Sequence, residues 1–252
     1  MIRTLVVPGR DSDVIGLDLA DLAAGEAIER RLGEEELLAV VLSGRIDVTV
    51  DGTRLGAAGG RHSVFEGPGH AVLVPPQTAV RLVALEPAQI ALATAAARGT
   101  STPARIIGPD EQRVAEVGRA TWRRTVRTLL GPEQPAGRLL AGETINDPGN
   151  WSSYPPHKHD EERPPEEVAL EEVYLFRVDP PGGFGVQVRY GAGTREAFVV
   201  GDDDVAVIRS GFHPVAAAPG YALYYLWIMA GQGRQMIPYV DPAHAWVAGS
   251  GT

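Results

Sequence analysis

The stretch Glu36-Leu37-Leu38-Ala39-Val40-Val41-Leu42-Ser43-Gly44-Arg45-Ile46-Asp47-Val48-Thr49-Val50-Asp51-Gly52 decides the fold class. An apolar run ending at Leu42 meets the turn formers Ser43-Gly44. Ile46 to Val50 then alternates apolar and polar with the period of a half-buried strand. Asp51-Gly52 supplies the residues that a tight hairpin turn demands. Such a segment predicts short strands joined by glycine turns.

The same pattern continues on the C-terminal side. Ala71 to Val74 is an apolar run closed by Pro75-Pro76, and Ala79 to Leu85 and Ala88 to Ala93 follow as further strands. Strands at this spacing predict a sandwich or a small barrel. The 30 glycines and 20 prolines among 252 residues favour turns over long helices. Composition shifts near residue 100, where Ser101-Thr102-Pro103 reads as a loop. Asp110 to Leu130 carries Arg113, Arg119, Arg123, Arg124 and Arg127. It allows a helix interrupted by Gly118, with its arginines on a solvated face or an inter-domain clamp. Pro132 to Gly137 is a second break.

From Arg138 the strand pattern resumes with Leu139 to Ile145, Glu172 to Val178, Phe184 to Tyr190, Glu196 to Val200, Asp204 to Ile208 and Tyr221 to Met229. The acidic, proline-bearing stretch Asp160 to Ala169 reads as an exposed loop. The organisation expected is therefore an all-β chain with barrels at 1–108 and 138–252 and an inter-domain segment at 109–137. The two halves share element types, a sign of internal duplication.

Composition removes several function classes. A net charge of −9 argues against nucleic acid, whose phosphates need a basic face. The absence of cysteine removes disulfides, thiolate ligands and cysteine nucleophiles together. The longest apolar run, Tyr221 to Gly231, is shorter than the roughly 20 residues that cross a bilayer. No stretch reads as a signal peptide, so a cytoplasmic protein with no membrane partner is expected.

Chemistry concentrates in Ser152-Ser153-Tyr154-Pro155-Pro156-His157-Lys158-His159-Asp160. Residues i and i+2 of a strand share a face, so His157 and His159 can converge while Lys158 points away. Glu171-Glu172 and His213 follow. Only one of the two glutamates can face inward, and Glu172 is favoured because Tyr174, Phe176 and Val178 share its parity. Three imidazoles and one carboxylate suit Zn²⁺, Mn²⁺, Fe²⁺ or Ni²⁺. A lone His-x-His is weak, and the glutamate and the Gly-x-His turn strengthen it. His62, His70 and His244 lack such company and read as ordinary surface or core residues.

These residues resemble the cupin signature, His-x-His and Glu in one motif and Gly-x-His in the next. Gly149 to Asp160, Glu172-Val173-Tyr174, Gly211-Phe212-His213-Pro214-Val215, Pro219-Gly220-Tyr221 and Tyr224-Tyr225-Leu226 are similar to the 5-deoxy-glucuronate isomerase family of inositol catabolism. Leu42-Ser43-Gly44, Ser63 to Gly67 and Val74-Pro75-Pro76 extend the resemblance to the N-terminal half. It implies a bicupin, two double-stranded β-helix (jelly-roll) barrels, with metal ligands at His157, His159, Glu172 and His213. The ion expected is Zn²⁺, with Mn²⁺ or Fe²⁺ as alternatives. The N-terminal barrel lacks the ligand set and is expected to be metal-free and structural. Arg209 stands where the family often has proline.

The resemblance further implies isomerisation of 5-deoxy-D-glucuronate to 5-dehydro-2-deoxy-D-gluconate. A divalent ion holding the C1 and C2 oxygens acidifies the C2 proton, and a nearby base shuttles it to C1. Tyr174 shares the face of Glu172, and one of Tyr224 and Tyr225 faces inward; Tyr174 and Tyr225 are the catalytic candidates. A forked donor suits the far carboxylate, which makes Gln187 and Arg189 the substrate-binding candidates. The partner expected is a small uronate, and the chain is expected to self-associate. Other readings are an isomerase of a pectin-type uronate, a cupin dioxygenase and a non-catalytic sugar-binding cupin.

Overall fold

The computed structural model describes residues 1–97, 102–191 and 193–249. Ser101, the first residue of the expected Ser101–Pro103 loop, and the last three residues of the expected 138–252 barrel lie outside them. The described chain is built of antiparallel strands, with helix confined to two 3-10 turns and the short segment Trp246–Gly249. It divides into two compact units, 1–113 with 129–140, and 114–128 with 141–252.

In the first unit the deciding stretch forms one strand of 16 residues, Glu35–Val50. Its first half pairs with Ala88–Ala96 and Ala71–Val74, its second half with Thr53–Arg61 and Ala79–Ala84. The switch falls around Gly44: the register shifts between Val41 and Ser43 on the pairing with Ala88–Ala96 and between Gly44 and Arg45 on the pairing with Thr53–Arg61. Side-chain parity records the same event. Leu37, Ala39 and Val41 enter the core from odd positions, Ile46, Val48 and Val50 from even ones. An inserted residue is what a β-bulge supplies, and it lets one strand serve two layers. Gly44 is required there, because φ is +77° and a Cβ would lie 2.1 Å from the Pro87 carbonyl oxygen.

The core of this unit is aliphatic, with Leu37, Ile46, Val48, Val72 and Ile90 fully buried. One buried carboxylate, Glu36, accepts the backbone N–H groups of Gly137, Arg138 and Leu139 at 2.6–2.7 Å and so anchors the connecting segment.

The stretch Asp110 to Leu130 is not helical. It holds the strands Arg113–Val117 and Arg124–Leu130, with 3-10 turns at Pro109–Glu111 and Ala120–Trp122. Alternation governs its side chains in place of helical periodicity, so neighbouring arginines go to different surroundings.

The second unit is organised around the long pair Leu170–Asp179 and Ala222–Gly231, in a six-stranded sheet with Val205–Ile208 at one edge. Directly opposed residues of an antiparallel pair share a face. Glu172 opposes Met229, Tyr174 opposes Trp227, and Phe176 opposes Tyr225. A four-stranded sheet of Trp151–Ser152, Val215–Ala217, Gly185–Gly191 and Thr194–Val200 lies in the same unit. His157–Lys158 pairs with Tyr239–Val240. Among the described residues, no helix is long and apolar enough to cross a membrane.

Candidate metal centre

Three segments deliver the candidate ligating side chains. The 170–179 strand carries Glu172, the segment before it carries His157 and His159, and the turn after Val205–Ile208 carries His213. Ligand atoms of His159, Glu172 and His213 all lie within 4.8 Å of one another, and the three residues are buried. The His157 ring stands 5.0 Å from that of His213 and 6.3 Å from that of His159. The structure thus brings His159, Glu172 and His213 into one cluster and sets the His157 ring beside it.

The outer nitrogens of two rings are fixed by the backbone. His159 Nδ1 donates to the Leu170 carbonyl at 2.6 Å, and His213 Nδ1 donates to the Gly211 carbonyl at 2.9 Å. With those protons committed outward, Nε2 of each ring faces Glu172, at 3.1 and 3.2 Å from Oε2, and a neutral ring presents a lone pair there. Two lone pairs facing a carboxylate oxygen repel unless a positive charge lies among them. His213 Nε2 is buried without a hydrogen-bond partner, which marks the same requirement. Carbonyl-oriented imidazoles with convergent Nε2 atoms and a carboxylate fit a divalent cation.

Electrostatics follow from this crowding. Burial, with the neighbouring rings of His213 and His159, pushes the His157 imidazole down to about 3. Burial acts the same way on His159, but the Glu172 carboxylate outweighs it and raises that imidazole above its ordinary value. Burial pushes Glu172 up, yet His159 and His213 together hold it well below the usual carboxylate range. Tyr174 is raised well above an ordinary phenol by burial and by Glu172, and Tyr225 is raised by burial.

The turn to His213 depends on Gly211. Its φ is +86°, and a Cβ would meet the Tyr190 carbonyl oxygen at 2.7 Å. Lys158 points away from the cluster to Asp160, to Glu161 at 2.9 Å and to Glu167 at 3.0 Å. Glu167 is fully buried, so the Asp160 to Ala169 loop is not simply a solvated one. Its other oxygen receives Arg163 at 2.7 Å. Arg209 extends to within 4.0 Å of Glu171, on the side away from Glu172.

Tyr174 and Tyr225 lie side by side, ring centroids 4.4 Å apart, and the Tyr174 ring is 6.2 Å from that of His213. The Tyr174 hydroxyl is 3.1 Å from Ser153 Oγ, and Tyr225 donates to Ser152 Oγ at 2.9 Å. Tyr224 points the opposite way and donates to Glu143 at 3.0 Å. Gln187 and Arg189, expected to meet the substrate, have other engagements. The Gln187 amide donates to the His213 carbonyl at 3.0 Å and is buried, so it supports the ligand turn. Arg189 pairs with Glu196 directly across the strand pair, at 2.5 Å.

Sequence reasoning missed the serine pair and Arg124. Arg124 stands at the start of its strand with its Nη1 on the carbonyls of Trp122 and Tyr154, at 3.3 and 3.2 Å. The serines were visible only as neighbours of the histidines, and nothing in the spacing of five arginines singles out Arg124.

Comparison with known proteins places this geometry. The sequence profile of the KduI/IolB family matches residues 4–247. The chain is 37% identical over 238 residues to a 5-deoxy-glucuronate isomerase of Geobacillus kaustophilus, covering 93% of this chain and 86% of that one. Among solved structures, an IolB-like protein of Salmonella typhimurium superposes with a TM-score of 0.94 at 32% identity, covering 98% of this chain and 94% of that one. The oxalate decarboxylase of Lactobacillus farciminis superposes with a TM-score of 0.68 at 14% identity, covering 99% and 86%. That last likeness concerns the fold alone, which is the expected bicupin.

Proposed function

This chain belongs to the KduI/IolB family, and on that premise we propose that it is a metal-dependent aldose–ketose isomerase of inositol catabolism, converting 5-deoxy-D-glucuronate to 5-dehydro-2-deoxy-D-gluconate. The observation that carries the metal dependence is the convergence of His159 Nε2 and His213 Nε2 on Glu172 Oε2, at 3.1 and 3.2 Å, with both Nδ1 atoms turned outward to backbone carbonyls.

His157, His159, Glu172 and His213 would hold the ion, Zn²⁺ by preference and Mn²⁺ or Fe²⁺ as alternatives. Bound there, it supplies a Lewis acid to the aldehyde end of the sugar. The residues around it do the rest. Gln187 and Gly211 fix the His213 turn, and the carbonyls of Leu170 and Gly211 fix the imidazole orientations. Tyr174 and Tyr225 keep their protons at neutral pH, because burial raises both. They therefore act as donors that hold and deliver a proton at the sugar's O1 and O2. Abstraction of the C2 proton belongs to a different group. Ser152 and Ser153 orient the two phenols.

The test is an anaerobic incubation with 5-deoxy-glucuronate in D₂O followed by proton NMR. Ketose formation with no oxygen present is the expected result. Consumption that requires oxygen, or binding without any ketose, would overturn the reading in favour of an oxygenase or a sugar-binding protein.

A further inference from the structure

We propose that Arg124 forms the subsite for the substrate's carboxylate, at the end of the site opposite the metal ligands. The proposal rests on the isomerase reading and deepens it.

Four arginines of one short segment meet four different fates. Arg119 donates to the Val247 carbonyl, Arg123 pairs with Asp147 at 2.6 Å, and Arg127 lies 3.4 Å from Glu143. Arg124 is part-buried and hydrogen-bonded to carbonyls, and no carboxylate among the described residues pairs with it. Its guanidinium stands 5.7 Å from the centroid of the Trp122 ring, which stabilises the cation and fixes its plane. Both carbonyl contacts use Nη1. The edge formed by Nε and Nη2 is thereby left for a forked acceptor, the geometry that a carboxylate matches with two parallel hydrogen bonds.

Its position relative to the cluster is set by a short chain of contacts. Arg124 holds the carbonyl of Tyr154, and the preceding residue, Ser153, reaches the hydroxyls of Tyr174 at 3.1 Å and Tyr225 at 3.5 Å. Tyr174 in turn interacts with Glu172. The order is therefore ligand cluster, tyrosine pair, serines, arginine. Burial lowers the pKa of Arg124, while the phenols of Tyr225 and Tyr174 act in the opposite sense, which places the charge within their reach. An open-chain uronate has the same polarity, an aldehyde at one end and a carboxylate at the other.

The experiment compares kcat/KM for 5-deoxy-glucuronate with that for its neutral C6 amide, in the metal-loaded wild type, Arg124→Met and Arg124→Gln. The Gln variant keeps a donor for the Tyr154 carbonyl, so it carries the test should the Met variant fail to fold. Each folded variant is expected to retain metal and to lower the acid-to-amide ratio by on the order of ten- to hundred-fold, the loss of a charge-assisted pair. A ratio equal to wild type, or equal losses on both substrates, would overturn the assignment. Failure of the isomerase reading has a separate signature: a metal-loaded wild type that turns over neither compound.

Discussion

Asp160 Oδ2 accepts the backbone N–H of Gly211 at 2.7 Å, tying the segment that bears His157 and His159 to the turn that presents His213. The same residue pairs with Lys158, which also reaches the buried Glu167. The two segments that bear the proposed ligands are thus held in mutual register. Outer contacts of this kind are worth about ten- to hundred-fold in metal affinity. Asp160→Ala should weaken metal binding by that factor while the barrel remains folded. Competition against a chelator of known affinity measures it, and wild-type affinity in the variant would remove Asp160 from this role.

Gly211→Ala should act on the same turn by a different route. The left-handed φ and the 2.7 Å approach to the Tyr190 carbonyl force the backbone to shift. Backbone strain of this type costs on the order of 1–3 kcal/mol. Both a lower Tm and a loss of bound metal are expected, read by calorimetry and elemental analysis on one preparation. A variant with unaltered metal content would show that His213 tolerates movement of its turn.

His70 predicts a pH dependence unconnected with the metal centre. Burial, with the charges of Arg61 and Arg45, holds its imidazole below the ordinary 6.5. The folded protein therefore binds fewer protons there than the unfolded chain, and stability rises with pH. This contribution is present above about pH 6.5 and is lost as pH falls through the folded value. Denaturant midpoints for wild type and His70→Gln should converge between pH 7 and pH 5, with the variant losing less. Parallel curves would show that His70 contributes nothing to acid sensitivity.

Arg127 and Glu143 are both buried, and Tyr224 completes the group from the face opposite Tyr225. Removing one member of a buried ion pair strands the other's charge, at a cost of about 3–5 kcal/mol. Arg127→Met should lower stability by that amount and leave metal stoichiometry at the wild-type value. Urea unfolding beside metal analysis separates the two effects; loss of metal at unchanged stability would contradict this assignment.

What the sequence could reveal follows from the range of the physics involved. Strand parity is local, so Ile46, Val48 and Val50 announced a half-buried strand. The bulge that joins them to Leu37, Ala39 and Val41 shows only in the switch from even to odd. The choice of Glu172 over Glu171 was legible for the same reason, since alternation sends them to opposite faces. Arg124 and Arg127 were not. Their segment has an arginine-rich composition shared by surface helices, and long-range pairing decides that it forms strands. Glu167 misled in a similar way. An acidic loop reads as solvated, and composition does not reveal that Lys158 and Arg163 neutralise the one carboxylate that turns inward.

The central claim is a metal-dependent isomerisation at the cluster of His157, His159, Glu172 and His213. Its most direct test is turnover of 5-deoxy-glucuronate by one preparation as isolated, after chelation, and after return of Zn²⁺, Mn²⁺ or Fe²⁺, with His213→Ala alongside. Ketose formation that chelation abolishes and one of these ions restores is expected, together with a folded His213→Ala protein that neither holds metal nor turns over. Full activity in the chelated enzyme, or in a metal-free His213→Ala variant, would contradict it.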